Sequence, residues 1–146
     1  MPLDPPTDVD GNVVAHDDPA ISPASMLIRH INEAAHVIFD ENKNCRRIAR
    51  LAFSASSGDP DNGMSVDIGQ LLAEAGLQED AQVPRGMGAV KLEVGQVRAL
   101  ELRVGSDPIP RNKYHGQIWD VKDTKRKGLH RLVVAWVVPI PGVALR

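Results

Sequence analysis

The apolar residues of this chain come in short runs, so none of its elements can be long. The longest run, Val133 to Leu145, is interrupted by Pro139 and Pro141. It falls short of the roughly 20 apolar residues that a helix needs to cross a bilayer. Short runs must bury their apolar faces against one another. At 146 residues the chain fits one domain, since domains cluster near about 100–150 residues. Hydrophobic residues make up 42% of it and charged residues 25%, enough for a core. Aromatic residues supply only 3%, so that core must be built from Val, Leu, Ile and Ala. The same scarcity disfavours a base-stacking nucleic-acid surface, which needs exposed rings.

Periodicity places the elements. Met26 to Ile31 alternates loosely and reads as a strand, whereas Asn32 to Asn44 suits a helical turn running into a loop. Cys45 to Ser54 fits a strand better than a helix. The clearest helix spans Val66 to Leu77, with Ser65 or Asp67 as its cap, Ile68, Leu71, Leu72 and Ala75 as its apolar stripe, and Gly76 as its C′ residue. Gly88 to Val94 alternates at period two and predicts a half-buried strand. Gly95 to Leu102 reads as a short helix, Asp107 to Pro110 as a rigid turn, and His115 to Val121 as a strand. Leu129, Leu132, Val133, Trp136 and Val137 recur at helical spacing and predict a C-terminal helix ended by Pro139, with a β-branched strand as the alternative. Short strands and helices without a βαβ rhythm indicate a single α+β domain with two or three helices over residues 23–146.

Residues 1–22 are rich in Pro and Asp, with little apolar periodicity. Such a segment is expected to be a disordered acidic tail. Residues 1–20 hold five Asp and no Lys or Arg; the remaining 126 residues carry 17 basic against 14 acidic side chains. That is a mildly basic domain behind an acidic leader. Cys45 is the only cysteine, so no intrachain disulfide can form, and no basic-then-apolar signal pattern opens the chain. A cytoplasmic location and no membrane partner are expected.

The most conspicuous polar stretch is F-S-A-S-S-G-D-P-D-N-G-M-S-V-D, Phe53 to Asp67. Its hydroxyls, followed by helix N–H groups, could hold an anion, while its composition equally suits a turn-rich connection. Asp59, Asp61, Gly63, Ser65 and Asp67 alternate as in a calcium loop, but Met64 stands where the sharp-turn Gly belongs and Gln70 where the bidentate Glu belongs. Gly86 and Gly88 lack the third glycine of a dinucleotide fingerprint. His30 and His36 lack metal-ligand spacing, so no metal and no cofactor is expected. Arg29 and His30, adjacent in a strand, point to opposite faces. His115 beside Gly116 could approach a ligand closely as a general acid or base, or be a satisfied strand-edge histidine. Arg46, Arg47 and Arg50 form one basic run, and Lys122, Lys125, Arg126, Lys127 and Arg131 a second that suits nucleic acid or an acidic surface, although a solvated helix face is favoured.

R-H-I-N at 29–32, D-E-N-K-x-C-x-R-I at 40–48, F-S-x-S-S-G-D at 53–59, G-M-S-V-D at 63–67 and Y-H-G-x-I-W at 114–119 together resemble a group of small bacterial proteins with no assigned activity. The resemblance covers most of residues 27–121 and implies a bacterial source and nothing about chemistry. Two functions remain open. The first is a non-catalytic binding or accessory module acting with a protein partner from its operon or mobile element. The second is a small hydrolase or phosphate- or nucleotide-handling enzyme. In it Arg29, His30, Asp67 and His115 would be catalytic, and Ser56, Ser57, Ser65 and Trp119 would contact the ligand. It requires Met26–Ile31, the 53–67 segment and Tyr114–Trp119 to meet in space.

Overall fold

The computed structural model describes residues 4–57 and 60–146. Among them, nine strands and four short helices make a small α+β domain. In chain order these are β1 (Met26–Ile31), α1 (Glu33–His36), β2 (Val37–Asp40), β3 (Cys45–Ile48), β4 (Met64–Ile68), α2 (Gly69–Glu74), β5 (Gly88–Glu93), α3 (Val94–Ala99), β6 (Arg103–Ser106), β7 (His115–Trp119), α4 (Arg126–Leu132), β8 (Ala135–Val138) and β9 (Val143–Ala144). Single 3-10 turns occupy Arg50–Phe53, Pro60–Asn62 and Asp123–Lys125.

Six strands form an antiparallel sheet in the order β6-β7-β4-β1-β5-β8, and β2-β3-β9 form a second sheet in which β9 runs parallel to β3. In the large sheet, successive side chains point to opposite faces. Leu27 and Ile31 join Val66, Ile68, Val90 and Leu92 in the main core, which Val97 of α3 and Leu129 of α4 complete. Ile28, Leu72 and Ala89 form a smaller cluster on the other face. Rings are scarce, and the core is aliphatic apart from Phe53 and Trp119.

The register of β1 prepares the site. It pairs with β5 at six positions, from Met26↔Glu93 to Ile31↔Gly88, but with β4 only at Leu27↔Ile68 and Ile28↔Asp67. Beyond Ile28 the two strands part. The Ser65 N–H and C=O are taken by side chains instead: Ser56 Oγ accepts from the N–H at 3.0 Å, and Arg29 Nη1 donates to the carbonyl at 2.9 Å.

The structure corrects several expectations. The helix expected over Val66–Leu77 is a strand followed by a helix. Met64 to Asp67 pair with Ile118 to His115 of β7, and that ladder overrides the local helical spacing. Ser65 and Asp67 are strand residues, and the N-cap of α2, Ile68, provides no side-chain bond. Gly76 does end α2, at φ 74°. The N-terminus of α2, at Gly69, is therefore set apart from the polar 53–63 stretch by β4 instead of following it directly. Gly58 and Asp59 of that segment lie outside the described residues. The C-terminal stripe is divided: Leu129 and Leu132 belong to α4, Trp136 and Val137 to β8.

The leader, expected to stand off as a disordered tail, packs on the domain over its described part. Arg98 of α3 donates to Asp17 Oδ1, the Asp18 carbonyl and the Ile21 carbonyl at 3.0, 2.7 and 2.8 Å. Asp17 Oδ1 also accepts from the Val104 N–H, and Ile21 is fully buried. Composition cannot reveal these partners, which come from α3 and β6. Residues 1–3 lie outside the described residues.

Candidate active site

Where β1 and β4 part, a cavity of about 310 Å³ opens, lined by Arg29 and His30 of β1, Ser65 and Asp67 of β4, and Asn112 and His115 from the β6–β7 hairpin. His36, Val66, Met87 and Ile109 complete its wall. Four of the residues read as catalytic from the sequence, Arg29, His30, Asp67 and His115, thus meet in one concavity.

Asp67 is its anchor. It is 1% exposed, and both carboxylate oxygens hold donors: His30 Nε2 reaches Oδ2 at 2.7 Å and Asn112 Nδ2 reaches Oδ1 at 2.7 Å. The orientation of Asn112 follows from chemistry. Its Oδ1 accepts from the Tyr114 N–H at 3.0 Å, and a backbone N–H can only donate, so the amide nitrogen must face Asp67. A carboxylate can only accept, so His30 carries its proton on Nε2 and keeps Nδ1 as the basic nitrogen when neutral. In antiparallel pairs, residues opposite one another share a face. Asp67 opposes Ile28, and His30 lies two residues on, so the dyad sits on the face of the smaller cluster.

His115 is fixed by the same logic with the nitrogens exchanged. Its Nδ1 donates to the Asp107 carbonyl at 2.7 Å, leaving Nε2 as the basic nitrogen. Asp107 is itself braced by Gln117 Nε2 at 3.0 Å, and Pro108 and Pro110 stiffen the hairpin above it. Gly116 does not bring a ligand close. It faces inward, where a Cβ would lie 2.6 Å from Ile68 Cδ1 and 2.7 Å from the Gly105 carbonyl oxygen.

Arg29 occupies the core face of β1 and is 8% exposed. Its Nε donates to the Ala52 carbonyl at 2.9 Å and its Nη1 to the Ser65 carbonyl at the same distance. Among the described residues it forms no ion pair. Burial lowers its pKa to about 10, which still leaves it charged at neutral pH. His36 feels that charge: burial first, then Arg29, holds its imidazole below the ordinary value. The Asn32 N–H donates to His36 Nδ1 at 3.0 Å, so neutral His36 carries its proton on Nε2.

The residues read as ligand contacts separate. Ser65 lines the cavity. Ser56 is exposed and ties the 53–57 strip to β4 through Ser65 Oγ at 3.0 Å. Ser57 accepts from Asn62 Nδ2 at 2.7 Å inside its own loop. Trp119 lies outside this cavity, 2% exposed, its ring 4.7 Å from that of His16. Asp67 is 1% exposed and each of its oxygens accepts a hydrogen bond, an inward placement unlike that of a loop ligand. Asn112 and Asp107 were missed as site residues; the one signal for them was the proline-stiffened turn preceding Tyr114-His115. Among the described residues, no group of three or more His, Cys, Asp or Glu is placed to hold a metal ion, and no helix is long and apolar enough to cross a membrane.

Comparison of the chain with protein-family models, with curated proteins and with solved structures gives no match.

Proposed function

We propose that this cavity is a catalytic centre for acid–base hydrolysis of a small ester, phosphate or carboxylic. One observation carries it: an Asp-held histidine, a carbonyl-held histidine and a buried guanidinium that forms no ion pair among the described residues share one concavity. Asp67 fixes the tautomer that leaves Nδ1 of His30 as the proton acceptor and stands against the imidazolium formed when it takes a proton from water. His115, with Nε2 free, serves as the second proton-transfer group. Arg29 supplies positive charge that attracts a phosphate ester and steadies the negative charge developing in either ester class, and a charge so desolvated acts more strongly than one in water. The single thiol, Cys45, suits a cytosolic setting.

The test is hydrolysis of p-nitrophenyl phosphate and p-nitrophenyl acetate by the wild-type chain and by His30→Ala and His115→Ala. General acid–base groups contribute about 10²–10⁴-fold, and losses of that order are expected. Absence of turnover on both ester classes, or turnover indifferent to both substitutions, rejects the proposal.

A second function, a non-catalytic accessory module with a protein partner, draws support from β2. It is the edge strand of the small sheet and leaves Ile38 43% and Phe39 58% exposed. An exposed apolar edge is a template for added strands. Affinity capture from the native host should recover a partner that Phe39→Asp loses; repeated capture of nothing rejects this function.

A further inference from the structure

A second cavity, of about 330 Å³, lies between the β2–β3 hairpin, the Arg50–Phe53 turn, α4 and the last residues described. Six cations line it: Lys43, Arg47, Arg50, Lys127, Arg131 and Arg146. Against them stands one carboxylate, Asp40, already engaged by Arg47 Nε at 2.7 Å. In a chain of net charge -2, this concentration of one sign is a property of the place and not of the composition.

Two of the cations are held from below. Arg47 also donates from Nη1 to the Ile48 carbonyl at 3.0 Å, and Arg146 Nη1 donates to the His130 and Val133 carbonyls at 3.2 and 3.1 Å. The other four, Lys43, Arg50, Lys127 and Arg131, are exposed and form no ion pair among the described residues. Like charges around one concavity repel, and an anion inside it relieves every one of those repulsions at once. His130 registers the field. It is 7% exposed, donates from Nε2 to the Leu145 carbonyl at 2.7 Å and stacks on Phe53. Burial holds its pKa below the ordinary value, the Leu145 hydrogen bond opposes that shift, and Arg47, Arg146 and Arg50 push it further down.

We propose that this cavity binds a compact, multiply charged phosphate anion such as a di- or triphosphate group. Its concavity favours a small anion over a nucleic-acid duplex, which presents a convex rod with phosphates spread along it. Arginine forks suit phosphate oxygens in pairs, and flexible lysines add charge around the rim. The one ring among its lining residues, His130, is 7% exposed and already stacked on Phe53, so it offers a base no open face. A nucleoside triphosphate should therefore bind no more tightly than inorganic tripolyphosphate. The proposal uses none of the groups assigned to the cleft at Asp67.

Calorimetric titration at fixed ionic strength, with inorganic tripolyphosphate, ATP, orthophosphate and a short DNA duplex as separate probes, tests it. Tripolyphosphate and ATP are expected to bind alike and more tightly than orthophosphate. The exposed charge reversals Lys127→Glu and Arg131→Glu together should weaken both roughly tenfold or more. Lys122→Glu, outside the cavity, and Asp67→Asn, in the cleft, should leave that binding unchanged. The proposal fails if tripolyphosphate does not bind the wild-type chain. It fails equally if the double reversal has no effect, if Lys122→Glu matches it, or if the duplex binds more tightly than tripolyphosphate.

Discussion

In the cleft between β1 and β4, Asp67, His30, Asn112 and His115 are each held by a hydrogen-bond partner that fixes their orientation. Around the basic cavity beside α4, four of six cations have no ion-pair partner among the described residues and are free to turn. The first region is built into central strands, where a rotamer is locked by packing and a displaced hydrogen bond leaves a buried group unpaired. The second is built on a hairpin, a single turn and a helix end, where charge is plentiful and direction is not prescribed. Orientation is what proton transfer needs; density of charge is what attraction needs. The contrast predicts different responses to mutation.

The largest effect is expected at Asp67. Asp67→Asn keeps the shape but leaves His30 facing a neutral amide, and esterase or phosphatase turnover should fall by about 10²–10⁴-fold, while tripolyphosphate binding at the other cavity stays intact. A parallel loss of both, measured on one preparation, would show that the two regions are not separable. Next comes Arg29→Met, which leaves the Ala52 and Ser65 carbonyls without their donor. Thermal or urea unfolding should show a loss of about 1–3 kcal/mol for each carbonyl that finds no replacement. Reversing an exposed cation such as Lys127 should leave the unfolding midpoint within about 0.5 kcal/mol of wild type. Similar losses from the two would erase the distinction between a built-in and a surface cation.

A smaller effect concerns pH, because each cavity holds one histidine with a lowered pKa. Burial is the first cause at both His36 and His130. When unfolded, these groups take up protons near the ordinary value of 6.5; when folded, only at lower pH. The unfolded chain therefore binds more protons as the pH falls. Their contribution to stability is present above 6.5 and is lost as the pH drops below it toward the folded values. Urea midpoints measured from about pH 7.5 down to about pH 5 should decline, and the double variant His36→Gln/His130→Gln should flatten that decline. An unchanged slope would mean that neither imidazole contributes. Smallest of all, Ser57→Ala should alter stability by no more than about 0.5 kcal/mol, since among the described residues Ser57 accepts from exposed Asn62 within its loop. A loss of turnover on that substitution would bring the loop back into the site.

A period-two pattern made β5 and, more loosely, β1 readable, whereas β7 is buried at all five positions and carries no such alternation. The dyad was harder. The sequence offered Asp67 both as a helix cap and, in the enzyme alternative, as a catalytic group, and it is the pairing of Met64–Asp67 with β7 that sets it beside His30. Neither Asn112 nor Asp107 carries a local mark of its role. Asn112 matters through two hydrogen bonds to residues brought in by the hairpin, and Asp107 through its carbonyl, which every residue type possesses. The leader failed to show its docking for a similar reason: Arg98, some 80 residues away in sequence, supplies the bonds. At Leu129–Val137 the helical and strand patterns were both real, and the chain uses one after the other.

The Arg50–Phe53 turn belongs to both regions at once. Arg50 lines the basic cavity, the Ala52 carbonyl holds Arg29 in the cleft, and Phe53 stacks on His130. Were an anion at Arg50 to shift the backbone of this turn, the carbonyl that holds Arg29 would shift with it. Thermodynamic linkage makes such coupling mutual: whatever factor the first ligand imposes on the second, the second must return. Titrating each anion with the other already bound measures that factor from both directions.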